Sequence, residues 1–106
     1  MGSTLTRKQI LQSAAQRVGN AVAHLAIYDD AYSAREAREY ERQATVVIEE
    51  RSWNDEEIAH FREIAIRRAK KELVKRSKEE RHLNLDVAME EAIQKIDEFI
   101  EKKLRR

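Results

Sequence analysis

The chain of 106 residues has no proline, no cysteine and only two glycines, Gly2 and Gly19, both near its start. Proline and glycine break helices and build tight turns, so a chain this poor in them is set up for long helices and little else. Without cysteine there is no disulfide framework, thiolate nucleophile or thiolate zinc site, which accords with a reducing compartment, and a cytoplasmic location is expected. No apolar run approaches the roughly 18 residues that a membrane span needs, so no membrane partner is expected. Glycine-rich phosphate loops are missing, and Ser13, Ser33, Ser52 and Ser77 have no histidine or lysine in an activating pattern. We expect no enzyme and no cofactor.

What is present is helical periodicity in an all-α chain. Capping boxes join a short polar side chain to an acid or amide three residues later, and Thr6 with Gln9, Ser33 with Glu36 and Asn54 with Glu57 all fit. Trp53 and Ile58 flank the third box as a hydrophobic staple would. A last start lies around Asn84 or Asp86, after which Val87, Ala88, Ala92, Ile93, Ile96, Phe99, Ile100 and Leu104 recur every three or four residues. The expected fold is a single helical domain over 1–106, a bundle of three to four helices at about 6–30, 34–51, 55–82 and 86–104, with 1–5 disordered or a cloning remnant. The first two helices are the least separable. Their stripe of Leu11, Ala15, Val18, Val22 and Leu25 reaches Tyr32, then slips five residues to Ala37, as a kink or turn near Ser33 would make it do.

Two N-terminal targeting patterns are also present. Met1, Gly2 and Thr6 match a myristoylation signal, and residues 1–28 carry Arg7, Lys8 and Arg17 without an acid, as a transit peptide would. A leading Met-Gly-Ser fits a cloning remnant better, and 1–28 supply much of the apolar surface that the fold needs.

Two Glu-x-x-His pairs, Glu57 with His60 and Glu79 with His82, place a carboxylate and an imidazole on one side of a helix. In that spacing the chain resembles the ferritin-like di-iron bundles, and the resemblance implies two such pairs and two further glutamates converging on metal from separate helices. Here both pairs fall on the third helix or its end. His60 lies about 200° around that helix from Ile58, opposite the stripe of Ile58, Phe61, Ala65, Ala69 and Leu73. No metal site is expected. His24, on the side of Arg17 and Asn20, reads as a solvated histidine.

Charge is distributed in blocks. The net charge of +1 divides into +3 over residues 1–28, −6 over 29–57, +5 over 58–85 and −1 over 86–106. Within residues 62–81 a positive face forms at helical spacing from Arg67, Lys71, Lys78 and Arg81, with Lys70 and Lys75 beside them. Such a run reads first as a solvated charged face, since the helix dipole favours acids at helix starts and bases at helix ends; the alternatives are an acidic protein partner or self-contact and nucleic acid, although it lacks interleaved aromatics and any known DNA-binding motif. The acidic and basic blocks either complement each other in a helical hairpin or pair between chains. A second candidate surface is the small-residue face of Ala15, Gly19 and Ala23, with Tyr28 and Tyr32 near the first turn, where close helix packing is expected. Tyr40 and Trp53 read, with those tyrosines, as core. The function expected is a non-enzymatic interaction or assembly module acting through protein contacts, self-associating as a homodimer. Nucleic-acid binding through the basic face is the alternative.

Overall fold

The computed structural model describes residues 6–27, 31–79 and 83–105, with side chains of 31–33 outside the description. Among the described residues there are four α-helices and no strand: α1 (Arg7–Ile27), α2 (Ala31–Glu49), α3 (Asp55–Ser77) and α4 (Leu85–Lys103). None of them is long and apolar enough to cross a membrane.

Local chemistry fixes the starts. Thr6 donates its N–H to Gln9 Oε1 at 2.9 Å and its hydroxyl accepts from the Gln9 N–H at 3.1 Å. Asn54 and Glu57 make the same reciprocal pair at 2.8 and 3.0 Å, and Asn84, not Asp86, caps α4. Each box satisfies N–H groups that a helix start would otherwise leave unpaired. The Ser33–Glu36 box is not a cap, because α2 begins at Ala31 and Ser33 lies inside it. A serine three residues before a glutamate is also ordinary helix spacing, so the pattern alone does not mark a start. The other boundaries shift as well: α1 ends at Ile27, with 28–30 outside the description, α2 ends at Glu49, and α3 ends at Ser77 with 80–82 outside the description.

α1 and α2 are separate, antiparallel helices and not one kinked rod. Arg7 at the start of α1 donates to Ser52 O just beyond the end of α2 at 2.6 Å, while His24 near the end of α1 meets Glu36 near the start of α2 at 3.3 Å. α3 runs parallel to α1, since Arg7 pairs with Glu57 and Asn20 with Arg68 one after the other along both. α4 returns antiparallel to α3, with Asp55 opposite Arg105 and Arg62 opposite Asp97. The chain thus goes up, down, up, down, yet the bundle is not a square. α1 is the hub: it packs against all three other helices, whereas α2 and α3 do not touch along their backbones.

The sequence of α1 explains that position. Ile10, Leu11, Ala14, Ala15, Val18, Gly19, Ala21, Val22 and Ala23 are all buried, leaving a narrow polar strip. A helix apolar on most sides must be surrounded. Small residues let α3 come close: a Cβ built on Gly19 would lie 2.6 Å from Ala65 O and 2.8 Å from Arg68 Cβ. The Ala15-Gly19-Ala23 face is therefore a packing surface filled by the chain's own α3, and it is not open to a second copy.

Across α3 and α4 the core is built from larger groups. Phe61 and Phe99 stack with ring centroids 5.8 Å apart, Ile96 and Ile100 are buried beside Phe99 on α4, and Leu73 is buried about three turns further along α3. One connected core runs through all four helices and includes Trp53 and Ile58 beside the α3 cap. Trp53 donates its indole N–H to Ile48 O at 2.9 Å and lies under the Arg7 guanidinium, 4.6 Å from the ring centroid. Two expected core positions point outward instead: Tyr40 is 40% exposed and Val87 47%. Tyr28 lies outside the described residues, and no side-chain position is described for Tyr32.

Candidate interaction surface on α3

The core stripe of α3 consists of Ile58, Phe61, Ala65, Ala69 and Leu73. At 3.6 residues per turn the opposite side carries Arg67, Lys71 and Lys78, flanked by Lys70 and Lys75. All five are exposed. Arg81 lies outside the described residues. The arginines and the lysines of this helix then divide. Arg62 forks onto Asp97 at 2.7 and 3.3 Å, Arg67 reaches Glu63 at 2.8 Å, and Arg68 donates to Asn20 Oδ1 at 2.8 Å and lies 3.5 Å from Glu72. Lys70, Lys71, Lys75 and Lys78 have no carboxylate partner among the described residues. A planar, five-donor guanidinium suits fixed pairing inside a fold, while an ammonium on a flexible stem stays in water. The lysines also sit toward the C-terminal end of α3, where the helix dipole favours cations.

The acidic block does not neutralise them. Glu36 pairs with His24, Glu39 with Arg42 at 2.6 Å, Glu49 with Lys103 at 3.3 Å, Asp55 with Arg105 at 3.6 Å and Glu57 with Arg7 at 3.0 Å. The backbones of α2 and α3 do not touch, so the two segments do not form a helical hairpin. The α2 part of the acidic block meets α3 only through side chains around the polar strip of α1, and Asp55–Glu57 begin α3 itself.

Of the two Glu-x-x-His pairs, Glu57, His60 and Glu79 are among the described residues. Glu57 is committed to its helix start: its carboxyl is held below the ordinary glutamate range by the Arg7 hydrogen bond first and the Asn54 N–H second. Glu79 lies 3.4 Å from Arg76, and His82 is outside the described residues. Among the described residues no three His, Asp or Glu side chains gather as a metal would require.

Sequence reasoning missed two grooves that border α2. One, about 200 Å³, opens between α2 and α3 over the polar strip of α1, and its walls include Asn20, His24, Glu36, Tyr40, Arg68 and Glu72. His24 is thus not freely solvated: its side chain is 28% exposed and meets Glu36. The other, about 420 Å³, lies between α2 and α4 above Leu25 and Phe99. There, burial pushes the Glu41 carboxyl above its ordinary value although Lys95, Lys102 and Lys103 pull it down. The only sequence signal for the first groove was the four-residue spacing of Asn20 and His24, which any solvated strip shares.

Comparison with protein-family models, curated proteins and solved structures finds no match to this chain.

Proposed function

We propose that this protein is a non-enzymatic helical interaction module of the cytoplasm, acting through protein contacts and self-associating, with the outward side of α3 as its binding surface. The observation that carries this reading is the division of cations on α3. Its arginines engage groups of the same chain, and its lysines, within little more than two turns of one another, engage no carboxylate among the described residues. Like charges four apart on a helix, as Lys71 and Lys75 are, cost about 0.2–0.5 kcal/mol per pair and offset what the helix dipole gains from them, so the row is better explained by something outside the fold. Half-buried Val74 lies among the lysines, which suits a protein surface.

A second reading, nucleic acid, is favoured by the same lysines at helical spacing. Against it, no aromatic side chain of α3 stands on that side for bases to stack on.

Light scattering decides between them. The unmodified chain is expected to have a mass above one chain at about 50 mM salt and to fall toward 12.5 kDa at about 500 mM, where the Debye length is only a few ångströms. Lys71→Gln with Lys78→Gln is expected to weaken association while leaving the melting curve in place. A single-chain mass at every concentration up to about the millimolar range overturns self-association. An oligonucleotide gel shift at about 50 mM salt that the same two substitutions abolish turns the reading to nucleic acid.

A further inference from the structure

The surface of α4 carries the other half of a contact. Its buried stripe of Ala88, Ala92, Ile96, Phe99 and Ile100 leaves Glu90, Glu91, Gln94, Glu98 and Glu101 on the opposite side. Glu90, Glu91 and Glu98 have no cationic partner among the described residues; Glu101 lies 3.2 Å from Arg105. An open depression runs along this side, with half-buried Ile93 on its wall, and Val87 projects near its start. Residues 86–106 sum to only −1 because Lys95, Lys102, Lys103 and two C-terminal arginines offset six acids; Lys103 pairs with Glu49 of α2, and Lys102 borders the depression beside Glu98. The stretch of the outer side that is acidic without a lysine is its beginning, at Glu90 and Glu91.

Height matters as much as sign. α3 and α4 are antiparallel, with Phe61 level with Phe99 and Arg62 with Asp97. Continuing upward at equal rise, Lys70 and Lys71 stand level with Met89 and Glu90, whereas Lys75 and Lys78 rise past the start of α4 and Glu98 stays level with Arg62, so the charges match in height where Lys70 and Lys71 meet Glu90 and Glu91.

We infer that the partner of the α3 lysine face is the outer acidic face of α4 on a second copy of this chain, the two copies being related by a two-fold axis parallel to the helices. The inference rests on α3 being the binding surface. Rotation by 180° about such an axis preserves height and exchanges sides, so each α3 lies over the other copy's α4 at the level where the charges match. Two identical contacts form and the assembly closes. A two-fold perpendicular to the helices would instead lay α4 on α4, glutamate against glutamate, which costs affinity and excludes that arrangement.

Charge reversal in the full chain tests this. One variant carries Lys70→Glu and Lys71→Glu, the other Glu90→Lys and Glu91→Lys, and circular dichroism checks that each remains helical. Each alone is expected to associate at least about tenfold more weakly than the unmodified chain at about 50 mM salt. Their equimolar mixture is expected to recover a dimer, because both contacts become complementary again. If the unmodified chain dimerises and the α3 variant does not, but the mixture stays monomeric, α4 is not the partner face and the α3 reading stands. If the unmodified chain is itself monomeric, both fall. Should either reversed variant lose its helical signal, mixing a Lys71→Cys chain with a Glu90→Cys chain supplies the test, since no other thiol competes. A disulfide between the two different chains supports the contact, and its absence under conditions where the unmodified dimer persists overturns it.

Discussion

α2 and α3 both pack on α1, and they are held there by different means. α3 buries Ile58, Phe61 and Leu73 with two alanines, and its backbone comes within contact of Gly19. α2 buries Ala37, Ala44 and Ile48. Each large apolar side chain contributes roughly 1.5–3 kcal/mol on burial and an alanine much less, so α3 is fastened along its length and α2 by a thin strip. The ends of α2 compensate: Glu36 meets His24, and Trp53, bonded to Ile48 O beneath Arg7, fixes the exit. Alternation of apolar and polar residues thus says which side of a helix turns inward. The size of the inward residues says how firmly the helix is held.

The sharpest break of this contrast is Phe61→Ala, which removes a fully buried ring from the α3–α4 seam. It is expected to cost about 3–5 kcal/mol of unfolding free energy. Ala44→Gly on α2 is expected to cost about 1 kcal/mol. Chemical denaturation measures both, and equal costs would mean that the two helices are equally embedded. Hydrogen exchange should show the same order, with α2 amides opening before those of α1 and α3.

Gly19→Ala comes next. Alanine gains about 1 kcal/mol over glycine in helix propensity, yet here its methyl group meets a backbone oxygen and the root of a side chain, neither of which can swing away. A net loss of about 1–3 kcal/mol is expected from forcing α1 and α3 apart. A melting temperature at or above that of the unmodified chain would show that the seam has slack.

The smallest effects are electrostatic and opposite in sign. The Glu57 carboxyl is depressed in the fold, so its contribution is present above the unfolded value near 4.5 and is lost as pH falls through the folded value. The Glu41 carboxyl is raised by burial. Its ionised form is disfavoured in the fold at neutral pH, and that penalty disappears as pH falls below the unfolded value. Glu57→Gln is therefore expected to lose stability at pH 7 and to flatten the acid limb of a pH–stability curve. Glu41→Gln is expected to gain on the order of 0.5 kcal/mol at pH 7, since the group is partly solvated. A destabilised Glu41→Gln would mean that the three surrounding lysines outweigh burial.

The sequence by itself determined the all-helical class, the caps at Thr6 and Asn54, the start of α4 to within two residues, the inward stripe of α3 and that of α4 apart from Val87. These depend on residues within one or two turns of each other, where backbone geometry alone sets the spacing. It also placed Arg67 and the four lysines outside, because they lie opposite a clear apolar stripe. It misplaced the start of α2 at Ser33, since a capping pattern coincides with ordinary helix spacing, and it left open whether the first two helices were continuous. Neighbourhood was decided only in three dimensions. Gly19 admits α3 beside α1, Phe61 and Phe99 set α4 against α3, and α2 is left on the far side of the hub. That placement keeps the acidic side of α2 away from the exposed lysine row, draws Asn20 and His24 into a groove and turns Glu90 and Glu91 of α4 outward at about the height of Lys70 and Lys71. Which helix lies beside which depends on side-chain volumes meeting between segments distant in sequence, and local periodicity carries no record of that.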